Sequence, residues 1–178
     1  MTNETFIIEN GHLKKCTDTD AAVICLPDEV TVIRSNALKD LVHLEEICLG
    51  TRLHTIESKA FEGCEKLKTV RFGSAEVHLE EGVFRSAVSP LTVYYPGTQE
   101  DWTRITAPRI EERNRFYDGG WGGGAPGFSW DEYKVFPLYH KDEEAFVCRV
   151  FCLADGKELI CRGGPRSVLV ARHSPYFD

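Results

Sequence analysis

Seven cysteines carry the most versatile chemistry in this 178-residue chain: Cys16, Cys25, Cys48, Cys64, Cys148, Cys152 and Cys161. Thiolates bind soft metals, act as nucleophiles and exchange disulfides. The odd count, with no C-x-x-C pair, is a poor disulfide framework and a poor zinc site. Cys148-x3-Cys152 with Cys161 comes nearest to a metal cluster. Yet strand residues at that spacing share a face and stand about 13 Å apart, too far for one ion. The simpler reading is small buried side chains in a reducing compartment. No cofactor and no metal are expected.

Other chemistry-bearing residues assemble no reactive site. Gly119 to Gly127 is a glycine-rich loop around Trp121, between aromatic segments Phe116-Tyr117 and Phe128-Ser-Trp130. A phosphate-cradling loop needs a strand before it, a helix after it and a Lys-Ser/Thr at fixed spacing; here Pro126 and a β-like segment follow instead. The histidines His54 and His78 fall just ahead of Ile56 and Leu79 in adjacent repeats and read as surface loop residues. No Gly-x-Ser-x-Gly, His-Glu-x-x-His or catalytic-cysteine signature occurs. Cys64 occupies a position that packs inward, which removes it as a nucleophile. The chain reads as a non-enzyme. Among the aromatics, Trp130 and Tyr133 suit a core, whereas Trp121 amid glycines suits a contact, with Tyr117 beside it.

The elements that must position these residues come from an internal repeat. Ile33, Ile56 and Leu79 follow one another at a step of 23 residues. The same step links Ile24, Ile47, Val70 and Val93; Leu26, Leu49, Phe72 and Tyr95; Ala37, Ala60 and Val83; and Leu38, Phe61 and Phe84. A fixed period in the twenties marks a solenoid, whose units bury their apolar faces only by stacking. Each unit offers a short strand (Val23–Leu26, Glu46–Leu49, Thr69–Phe72, Thr92–Tyr95), a turn at Pro27, Gly50, Gly73 or Pro96, a second apolar pair, and a short stretch read as helical. Ahead of them, Phe6–Glu9 and His12-Leu13 flank Asn10-Gly11, the dipeptide of a type I′ hairpin.

These units, above all Ile56-Glu-Ser-Lys-Ala-Phe-Glu-Gly-Cys-Glu-Lys-Leu-Lys-Thr-Val70, resemble the BspA-like leucine-rich repeats of bacterial surface proteins. That family's unit closes on a similar Ala-Phe-x-x-Cys-x-x-Leu-x-x-Val run. The opening Phe6-x-Ile8-x-Asn10-Gly11-x-Leu13 and the closing Tyr95-x-Gly97-Thr98-x-x-x-Trp102-x-x-Ile105 resemble its entry and exit segments, so the likeness covers about residues 6–105. The resemblance implies a non-catalytic role in adhesion or protein recognition, and a cell-surface or secreted location. Against that location, Met1–Gly11 shows no export signal, and the cysteine count favours the cytoplasm.

The fold expected is a short, right-handed α/β leucine-rich-repeat solenoid with a parallel sheet, plus a small β-rich C-terminal domain or cap. Its divisions are a hairpin cap at 1–22, repeats at 23–107, a glycine-rich linker at 108–130 and the β-rich domain at 131–178. Strand alternation turns Cys25, Cys48, Arg71 and Tyr94 outward, flanked by Val23, Glu46, Thr69 and Thr92. Arg and Tyr are favoured at binding hot spots. The expected partner-binding set is therefore Arg71, Tyr94, Glu46, Thr69, Thr92, Trp121 and Tyr117. Two outward cysteines mean either that the C-terminal domain covers this face or that the protein lives reduced. Another protein is the expected partner. A glycan stacked on Trp121, Tyr117 and Tyr94 is the alternative, and use of the solenoid's edge in a larger assembly is a third reading. A net charge of −7 argues against nucleic acid and anionic membranes, and no stretch is long enough to span a bilayer.

Overall fold

The computed structural model describes residues 5–88, 90–107, 109–117, 127–135, 137–138 and 147–162. The chain is a β-solenoid of about four turns with little helix. It opens on the expected hairpin, β1 (Phe6–Glu9) and β2 (His12–Cys16), paired antiparallel. Asn10 and Gly11 between them take φ of 51° and 79°, the left-handed values of a type I′ turn.

Each turn of the solenoid then contributes one strand to each of two sheets. The longer strands are β3 (Val23–Cys25), β5 (Glu46–Cys48), β7 (Thr69–Arg71) and β9 (Leu91–Tyr95). Between them fall the two-residue β4 (Val32–Ile33), β6 (Thr55–Ile56) and β8 (His78–Leu79). Both series are parallel and in register at the sequence period, as Ile24↔Ile47, Val70↔Val93 and Ile33↔Ile56 show. The second apolar pair of each repeat therefore forms a sheet of its own, which β1 and β2 extend to the order β1-β2-β4-β6-β8. Every member of the five periodic columns is buried between the two sheets, and Ile33, Ile56, Leu38 and Val93 are fully enclosed.

The stretch read as helical is instead a run of turns. Ala37 donates to Arg34 at 3.0 Å and Ala60 to Glu57 at 3.3 Å, one turn each. The intervening N–H groups then reach the next rung, Leu38 to Ala60 O at 3.0 Å and Asp40 to Glu62 O at 2.7 Å. Asn36, Lys59 and Gly82, one per repeat, take φ near 60° (63°, 62° and 59°), which a helix does not admit. The backbone donors are thus satisfied between rungs rather than within them. Gly63 takes φ 78° where the preceding repeat has Asp40 at 57°, which explains how Asp40-Leu41 stands in for Gly63-Cys64.

One α-helix occurs among the described residues, α1 (Gln99–Thr106). Thr98 caps it reciprocally with Asp101, and its Trp102 and Ile105 close the core against Tyr95 and Phe72. Two further strands, β10 (Arg109–Tyr117) and β11 (Gly127–Val135), pair antiparallel as a separate two-stranded sheet. β10 lies where the sequence reads a linker, and β11 runs from that linker into the stretch read as β-rich; ladder bonds join backbone groups, so a polar run such as Glu111–Arg115 hides a strand from a hydrophobicity argument.

The last two strands, β12 (Val147–Cys152) and β13 (Lys157–Arg162), form a hairpin across the Leu153–Gly156 turn. β12 lies parallel to β9, pairing Cys148↔Leu91, Val150↔Val93 and Cys152↔Tyr95. Within the stretch read as a C-terminal domain, these residues extend the solenoid's own sheet to the order β13-β12-β9-β7-β5-β3.

Candidate binding face

The outer surface of that six-stranded sheet is built by alternation. With Ile24, Ile47, Val70, Val93, Val150 and Leu159 turned inward or partly so, the residues on either side of each face out. One outward row is Cys25, Cys48, Arg71, Tyr94, Phe151 and Glu158, in register across the sheet. The flanking row is Val23, Glu46, Thr69, Thr92, Arg149 and Ile160. Five residues named from sequence (Arg71, Tyr94, Glu46, Thr69 and Thr92) therefore share one surface. Trp121 lies outside the described residues. Tyr117 ends β10, with its backbone opposite Gly127; its side chain is likewise outside them.

The centre of the face is a continuous stack. Arg71 lies over the Tyr94 ring, 4.3 Å from guanidinium carbon to centroid. Tyr94 stacks on Phe151 with centroids 5.4 Å apart and planes 18° from parallel. Arg149 sits 5.5 Å from the Phe151 centroid. A carboxylate holds each arginine: Arg71 Nε donates to Glu46 Oε1 at 2.6 Å, and Arg149 Nη2 donates to Glu158 Oε1 at 2.6 Å. The Glu46 bond raises the Arg71 pKa further above its ordinary value, so the group is a fixed cation. Two arginines and two glutamates leave this row of contacts neutral on a chain of net charge −7.

Both faces of the Tyr94 ring are occupied, by Arg71 on the β7 side and Phe151 on the β12 side. Its edge and hydroxyl are what it presents outward. Sugar stacking needs an open ring face, which Tyr94 lacks.

Phe151, Arg149, Glu158 and Ile160 escaped the sequence reading. Their signal was present: Cys148-Arg-Val-Phe-Cys152 repeats the in-out alternation of Leu91-Thr-Val-Tyr-Tyr95. The second stretch, however, stands 57 residues after the first and so out of phase with the step of 23, because an intervening segment separates them. Ile160 is 66% exposed and Val23 58%, so the flanking row ends in an apolar side chain at each edge.

Thiol chemistry divides by face. Cys16, Cys64, Cys148 and Cys152 are buried, and burial raises the pKa of each. Cys64 donates to Leu38 O at 2.9 Å and is pushed up to about 11, which makes it a packing residue. Cys25 is exposed and Cys48 half-buried on the outer face. His54 and His78 are both exposed and do not share a column; His78 pairs with Thr55. Among the described residues, no group of three or more His, Cys, Asp or Glu could hold a metal ion. No helix among them is long and apolar enough to cross a membrane.

Stacked parallel rungs, an inter-rung backbone ladder and a hairpin at the start define a leucine-rich-repeat solenoid of the protein-interaction or adhesion type. Residues 2–103 match the BspA type leucine rich repeat region, in six copies, so the chain belongs to that family. No curated protein and no solved structure matches it. Repeats of this family are generally non-enzymatic binding scaffolds, found in bacterial adhesion-type proteins.

Proposed function

We propose that this chain recognises another protein through the outer face of its six-stranded sheet, with Arg71 and Tyr94 as anchors. The observation that carries the reading is the Arg71–Tyr94–Phe151–Arg149 stack. An arginine free in solution loses side-chain entropy when a partner fixes it; these two are already held by a ring and a carboxylate, so less is lost on association. Arg and Tyr at the centre of a rigid patch match the composition of interface hot spots. Glu46, Thr69 and Thr92 surround them with polar groups, as an interface rim does. On sequence grounds alone the proposed contact set also includes Trp121 and Tyr117, toward the roughly 800 Å² per partner that a stable complex requires. A glycan site would rest on Trp121 and Tyr117 alone, since Tyr94 has no free ring face.

A photo-activated cross-linking residue at Thr92, in the middle of the face, tests this against the same residue at exposed Lys66 on a turn. In lysate and envelope fractions of the source organism, the Thr92 probe should trap a protein that the Lys66 probe does not. Equal labelling from both sites would contradict the proposal.

A further inference from the structure

Cys25 and Cys48 are directly paired in register on adjacent parallel strands, and both side chains are on the outer face. We propose that they form a surface dithiol that exchanges with small-molecule disulfides and closes reversibly into a clasp between the first two rungs. The proposal does not depend on the identity of any binding partner.

Distance permits the bond. Neighbouring strands lie about 4.8 Å apart, inside the Cα–Cα window of roughly 4.4–6.8 Å that a disulfide spans. On parallel strands the β-carbons keep nearly the strand spacing, whereas a relaxed disulfide brings them to about 3.8 Å. Closure therefore needs the two strands to lean together by the order of 1 Å. β3 can supply that movement: it is three residues long, lies at the sheet's edge and pairs only with β5. A disulfide closed against such a lean is strained and exposed, the kind that reduces readily and so switches rather than staples.

The order of events follows from exposure. Cys25 is open to solvent, so its thiolate, after loss of a proton to solvent, attacks one sulfur of a glutathione-type disulfide. A mixed disulfide forms at Cys25 and one small thiolate leaves. Cys48 then loses its proton, attacks the Cys25 sulfur and releases the second small thiolate. Two protein thiols are oxidised and one small disulfide is reduced to two thiols, so atoms and electrons balance. Cys48 suits the second role: burial first, then its neighbour Cys25, push its thiol up to about 11. It reacts poorly with external reagents yet lies against the sulfur it must attack, and the Arg71 guanidinium in the next register position draws its thiolate form.

The competing pair is Cys148 and Cys161, also in register but interior, with Cys148 wholly buried. Burial raises both thiols and shuts out the reagent.

The full-length chain is incubated with oxidised glutathione, alkylated, and digested without reduction by trypsin plus a protease cleaving before aspartate. This isolates Cys25 in residues 20–27 and Cys48 in residues 40–52, apart from Cys16 and Cys64. The expected result is a 20–27/40–52 cross-linked peptide that dithiothreitol abolishes. Cys48→Ser should accumulate the Cys25 mixed disulfide, and Cys25→Ser should slow loss of the Cys48 thiol about tenfold or more. A stable mixed disulfide at Cys25 in the wild-type chain, a cross-link at Cys148–Cys161 alone, or no thiol loss would each overturn the proposal.

Discussion

At the scale of single residues, the same column step that builds the core also sets what each side chain can do. Phe61 is 2% exposed and stacks on Phe84 with centroids 5.9 Å apart; Phe84 in turn meets Phe72 edge-on. Phe61→Ala removes the ring from a site that rungs on both sides hold open, so the loss combines transfer and cavity terms. Urea unfolding should show destabilisation of about 3–5 kcal/mol, and a loss under about 1 kcal/mol would contradict the core placement. Tyr94, by contrast, is one position off the inward set, and its aromatic area goes into the surface stack instead. Inward and outward roles were legible residue by residue here, because strand alternation and the repeat agree on every column from Ile24 to Tyr95. The pairwise geometry was not legible. Nothing in the spacing of Arg71 and Glu46 says that the guanidinium reaches back one rung while also covering a ring one rung ahead.

Among elements, α1 is the piece whose attachment depends on charge. Its first turn is held twice, by the Thr98–Asp101 capping box and by Asp155 of the β12–β13 turn, which accepts from Gln99 N at 2.9 Å. The Thr98 N–H lowers the Asp101 pKa, and the Gln99 N–H lowers that of Asp155. A carboxyl whose pKa is lower in the folded state stabilises the fold above its unfolded value, and the contribution disappears as pH falls through the folded one. The melting temperature of wild type should therefore exceed that of Asp155→Asn at pH 7, with the gap closing below about pH 4. A gap that stays constant with pH would show that Asp155 acts by shape alone. Elements were less legible than residues. The turns after each second strand resembled helix because Ala, Leu and Phe favour it, and the inter-rung hydrogen bonds that prevent it join residues 22 apart, as Leu38 and Ala60 are. The strand β10 escaped because its run of charged residues carries no apolar alternation.

The whole molecule is a repeat protein whose longer sheet continues past its repeats. The family match ends at residue 103, yet β12 and β13 carry the sheet two strands further and bring Phe151 and Arg149 into the stack. The solenoid was legible from periodicity alone, since stacking requires every rung to repeat its neighbour. The β-rich character of the C-terminal stretch was legible too; that its strands β12 and β13 join the solenoid's sheet was not, since β12 pairs with β9 through backbone groups after a long excursion. A protein built this way should lose recognition without losing its fold when the centre of the face is changed, because exposed ion pairs add little stability. The most direct test is an affinity capture from lysate and envelope fractions, quantified by mass spectrometry, comparing wild type with Arg71→Glu/Tyr94→Ala and recording both melting temperatures. Wild type should enrich a protein that the double variant fails to enrich, with melting temperatures nearly equal. Equal enrichment by both chains would contradict recognition through this face.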